Sequence, residues 1–100
     1  MYVSRLAFYT VPGKTGDVER ALGRLRDLVE TAGGGRPRVL RTHYASLGAP
    51  DVVFEQEAAD LVALENQISQ VTEGADFQAW SHEVSALLIQ SPKREVYLTL

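Results

Sequence analysis

Apolar and polar positions alternate at the start of the chain and then change period. Residues 2–11, YVSRLAFYTV, are rich in β-branched and aromatic side chains and predict a strand. Pro12 and Gly13 end it. From about Gly16 to Ala32 the spacing becomes helical, with Val18, Ala21, Leu22, Leu25, Leu28, Val29 and Ala32 on one stripe. Thr15 or Asp17 is placed to cap this helix, and Gly33, Gly34 and Gly35 stop it. Residues 38–47, RVLRTHYASL, predict a second strand, and 51–57, DVVFEQE, a third; the Gly48-Ala49-Pro50 turn joins them as a hairpin. A second helix is expected from about Ala59 to Val71, with Leu61, Leu64, Ile68 and Val71 on one face. Gly74 breaks it, and Asp76 is placed to cap a further helix from Phe77 to about Ile89. Pro92 separates that helix from a last strand, Glu95 to Leu100.

The order strand, helix, strand, strand, helix in two pieces, strand is the split βαβ arrangement of a ferredoxin-like α+β domain. It implies a four-stranded antiparallel sheet with helices on one face. One such domain accounts for all 100 residues.

Alternation along the strands assigns the sheet's second face. Val3, Ala7, Val11, Val39, Ala45 and Val53 fall there beside Arg5, Tyr9, Arg41, His43, Glu55 and Tyr97. A face that mixes apolar and charged residues suits an interface better than open water. The expectation is a homodimer paired through its sheet faces. A slip of one residue would exchange the two sets.

Composition narrows the partners. A net charge of −3 disfavours nucleic acid, which calls for clustered positive charge. With no cysteine there is no disulfide framework, no thiolate zinc site and no cysteine nucleophile, which fits a cytoplasmic protein. Arg5 interrupts residues 1–11, which lack the long apolar run of a signal or membrane segment, so no membrane partner is expected.

Three stretches carry a resemblance: YTVPGKTGDVERAL (Tyr9 to Leu22), SLGAPDVVFEQEAADLVAL (Ser46 to Leu64) and GADFQAW (Gly74 to Trp80). Together they make the chain similar to the dimeric α+β barrel superfamily, and within it to NIPSNAP-like proteins. The third strand departs from that pattern, with Phe54-Glu55-Gln56 in place of a more aromatic run. The resemblance implies pairing through sheets to form a barrel. Antibiotic-biosynthesis-type monooxygenases share the architecture, but fold alone does not transfer activity.

Candidate chemistry is sparse. VPGKTG resembles a phosphate-binding loop, yet the motif needs a glycine where Phe8 stands. Arg20, Arg24 and Arg26 interleave with Asp17, Glu19, Asp27 and Glu30 as a self-paired, solvated face. The two histidines show no metal-ligand spacing, and no cofactor is indicated. In FQAWSHEV, helical geometry turns Phe77, Trp80 and Val84 inward and places His82 about 170° from the centre of that stripe. Consecutive Ser81, His82 and Glu83 diverge and cannot act as a triad. His43 and Tyr9 remain as candidate proton carriers, near Glu55 and Tyr97 on the predicted second face. Phe8, Phe54, Phe77, Trp80 and Tyr97 are the candidate walls of a pocket for a small organic molecule. Three functions fit: an intracellular small-molecule-binding protein, a cofactor-independent monooxygenase or isomerase, and a non-catalytic pairing module.

Overall fold

The computed structural model describes all residues, Met1 to Leu100. Its elements run β1 (Tyr2–Phe8), α1 (Thr15–Thr31), β2 (Gly35–Arg41), β3 (Val52–Ala58), α2 (Leu61–Thr72), α3 (Ala75–Ser85) and β4 (Lys93–Leu98). The four strands form one antiparallel sheet in the order β2-β3-β1-β4. This is the ferredoxin-like topology, and the predicted second helix is indeed two consecutive helices.

The core lies between α1, α3 and the sheet. Val18, Ala21, Leu22, Leu25 and Val29 of α1 are buried against Phe8, Val52 and Phe54. Val71 of α2 and Trp80 and Val84 of α3 complete the cluster. The apolar stripe read from the sequence therefore does what its spacing requires: residues three and four apart share the face that water leaves.

Helix ends differ from expectation. Lys14 is the N-cap residue of α1 and makes no side-chain cap bond; Asp17 sits in the first turn and pairs with Arg20. Thr15 is engaged elsewhere, its hydroxyl 2.8 Å from that of Thr10. Likewise Gly74, not Asp76, is the N-cap of α3. The side-chain cap falls on α2, where Asp60 accepts from the Ala63 N–H at 2.8 Å.

Strand β2 corrects the predicted second face. It ends at Arg41, and residues 42–51 form a long connection where a short hairpin turn was expected. Leu40 pairs with Val53 and Arg38 with Glu55, so Leu40 and Arg38 lie on the open face. Val39 and Arg41 pair with Phe54 and Val52 and face the helices, where Arg41 reaches Glu19 of α1. The displacement begins at an irregularity between Gly35 and Arg38, with Arg36 at φ 45°. His43 and Ala45 lie past the end of the strand, and Val11 past the end of β1.

Candidate functional site

A cleft opens between α3, the helix-facing side of β1 and β4, and the segment that joins α3 to β4. It holds about 530 Å³, within the roughly 300–1,000 Å³ typical of small-molecule sites. Leu6 and Phe8 form its floor; Phe77, Trp80 and Val84 form one wall. The aromatic rings are fixed by one another. Phe8 meets Trp80 edge-on at 6.4 Å between centroids, and Phe77 lies 5.4 Å from Trp80 at a shallow tilt. The indole N–H donates to the Ala21 carbonyl at 2.6 Å, which ties the wall to α1.

The opposite rim is Leu88 to Pro92. Backbone bonds hold it against the end of β1: the Ile89 N–H donates to the Tyr9 carbonyl at 3.0 Å, and the Val11 N–H to the Leu87 carbonyl at 2.9 Å. Pro92 then turns the chain into β4.

One charged group stands among these walls. Arg94 pairs with Leu6 across the sheet and so faces the helices from β4, an edge strand. Its guanidinium donates to the Ser4 hydroxyl at 2.7 Å. No carboxylate lies within ion-pair distance of it, whereas Arg5, Arg20, Arg24, Arg38 and Arg41 each have one. Burial draws its pKa below the ordinary arginine value, and it remains a cation at neutral pH. Ser81, Ser85 and Ser91 add hydroxyls to the lining.

The open face of the sheet carries a separate polar network. Glu55 accepts from Arg5 Nε at 2.7 Å and from Arg38 Nε and Nη2 at 2.9 and 2.7 Å. Burial pushes the Glu55 carboxyl up, and the Arg38 and Arg5 hydrogen bonds outweigh it, leaving its pKa lowered. The Arg5 guanidinium covers the Tyr97 ring at 5.3 Å, and the Tyr97 hydroxyl donates to Glu95 at 2.7 Å.

The predicted site residues divide accordingly. Phe8, Phe77 and Trp80 come together in the cleft. Phe54 lies behind it, lining a small void of about 40 Å³. Tyr97 is on the open face, away from the cleft. Tyr9 also lies outside the cleft, its ring beneath the Lys93 ammonium at 5.5 Å. His43 is exposed in the 42–51 connection, its ring edge-on to that of Tyr44 at 4.5 Å between centroids. The expected grouping of His43 with Tyr9, Glu55 and Tyr97 does not form, because β2 ends two residues too early to place an imidazole on the sheet. Arg94 escapes the sequence reading because the predicted last strand starts at Glu95. Its signal is the alternation itself: it shares a side with Val96 and Leu98, a charge on an apolar stripe.

No family model matches the chain, and no curated protein does. Among solved structures, an uncharacterised NIPSNAP-like domain protein from Burkholderia xenovorans superposes with TM-score 0.79 at 14% identity, over 99% of this chain and 84% of that one. A second NIPSNAP domain protein from the same organism gives 0.78 at 14% identity, over 100% and 95%. A protein from Bordetella bronchiseptica, provisionally described as an antibiotic biosynthesis monooxygenase, gives 0.70 at 21% identity, over 99% and 96%. The chain thus has the ferredoxin-like α+β fold that NIPSNAP-domain and antibiotic-biosynthesis-monooxygenase-like structures share. No helix is long and apolar enough to cross a membrane.

Proposed function

We propose that this chain is a homodimeric α+β barrel protein that binds a small aromatic or apolar molecule in the cleft beside α3. The observation that carries the reading is the cleft itself: about 530 Å³ of space walled by Phe8, Phe77 and Trp80 and open to solvent between fixed rims. Apolar area left facing such a space is stabilised when an apolar ligand covers it. A catalytic reading, as a cofactor-independent monooxygenase or isomerase using Tyr9 and His43, has less support. Arg94 is the one titratable residue of the lining, and a permanent cation cannot shuttle protons near neutral pH.

Trp80 is the only tryptophan of the chain and lines the cleft, so its fluorescence reports occupancy directly. A library of aromatic metabolites is expected to contain compounds that quench Trp80 and raise the melting temperature together. Ser85→Phe, which fills the cleft mouth from an exposed position on α3, is expected to abolish both responses. A library without a single hit, or hits that bind Ser85→Phe unchanged, would remove the cleft from consideration.

A further inference from the structure

We infer that the cleft selects ligands bearing one carboxylate, held by Arg94 while an aromatic body lies against Phe77 and Trp80. This rests on the binding reading above and names its ligand class. Three observations converge. Arg94 lines both the cleft and the small void behind it, and although the residue is exposed on its edge strand, its guanidinium is anchored on the hydroxyl of the buried Ser4. Of its five N–H donors only one has a protein acceptor, the Ser4 hydroxyl. No acid answers its charge, although most other arginines of this chain are paired.

A guanidinium in such surroundings is suited to a planar anion that accepts two parallel N–H bonds. A carboxylate meets that geometry and carries the single charge that Arg94 can balance. Phosphate is disfavoured. The lining has no second cation, and the remaining polar groups are neutral serines and Gln90. An inward charge on an edge strand also discourages strands of other molecules from pairing there. That duty alone would be met by a side chain reaching straight to water and would leave ligand affinity indifferent to it.

The test compares three probes of one shape: 2-naphthoate, 2-naphthalenemethanol and 2-naphthyl phosphate. Each is titrated into the full chain by Trp80 fluorescence and by calorimetry. Naphthoate is expected to bind tightest. Arg94→Gln is expected to weaken naphthoate by roughly ten- to a hundredfold, the scale of a lost charged hydrogen-bond pair, and to leave the alcohol unchanged. Arg94→Lys, which keeps the charge but not the fork, is expected to fall between them. Matched circular dichroism of the variants establishes that they fold alike. Equal affinity for acid and alcohol, or naphthoate binding untouched by Arg94→Gln, overturns the carboxylate assignment and leaves the cleft standing. Preference for the phosphate overturns it in favour of a different anion. Failure of all three probes, with no hit in the wider library, refutes the binding reading itself.

Discussion

Glu55 has only 3% of its side chain exposed, although it lies on the uncovered face of the sheet. Arg5 and Arg38, themselves about half exposed, close over it from the neighbouring strands β1 and β2. The carboxylate gives up water and receives charged hydrogen bonds in return, and its lowered pKa records which effect is larger. A depressed folded-state pKa contributes stability that is complete above the unfolded value, near 4.5, and is lost as pH falls through the folded value. Denaturant midpoints of the native protein should therefore decline on acidification below about pH 4.5. Glu55→Gln should cost about 1–2 kcal/mol at pH 7, a figure reduced by the solvent that screens both arginines. Its acid limb should also be flatter than that of the native protein. An unchanged acid limb would mean that other carboxylates govern it.

At the scale of elements, the joint between α1 and β2 depends on two positions that admit no side chain. A Cβ on Gly34 would fall 2.3 Å from Val29 Cγ1, and one on Gly35 would fall 2.3 Å from the Glu57 carbonyl oxygen. Gly35→Ala pushes on backbone that cannot yield cheaply, and urea unfolding should show a loss of about 1–3 kcal/mol. Gly23 is the opposite case. It lies within α1, where an added Cβ meets nothing nearer than the flexible end of Arg26 at 4.0 Å. Gly23→Ala should raise stability by about 0.5–1 kcal/mol, through helix propensity and a less disordered unfolded chain. Much of this architecture is legible in the sequence. Long periodic runs such as Val18 to Val29 give each element its type, because burial acts on every third or fourth residue at once. What escapes is set by single residues. Arg36 at positive φ opens the irregularity that shifts β2, and no hydrophobic pattern records it. The candidate site divides in the same way. The aromatic wall is visible as a helical stripe. Arg94 shows only as one charge in the alternation it shares with Val96 and Leu98, and a strand read from Glu95 leaves it out.

At the scale of the molecule, the domain is a slab 36 × 35 Å across and 18 Å thick, and only 19 of its 100 residues are buried. The helices use one side of the sheet, so the other side is broad in proportion to the core. Its charges balance: Arg5, Arg38 and Lys93 stand against Glu55, Glu57 and Glu95, with Val3, Ala7, Leu40 and Val53 among them. A face with equal charges of both signs can meet a copy of itself without net repulsion, which an isologous pair requires. Leu40 tests this most cleanly. It is 39% exposed in the single chain, so a polar replacement there costs the isolated fold little, within about 0.5 kcal/mol. In a face-to-face pair the same replacement buries two carboxylates that have no assigned partner. Light scattering at micromolar concentration should give twice 11.0 kDa for the native chain and 11.0 kDa for Leu40→Glu, with the same helix and strand content in both. The cleft lies on the helical side of the sheet. Quenching of Trp80 by naphthoate should survive in Leu40→Glu if the cleft is complete within one chain. A native protein that runs at 11.0 kDa, or a Leu40→Glu variant that stays paired, would place any partner of this domain somewhere other than the sheet.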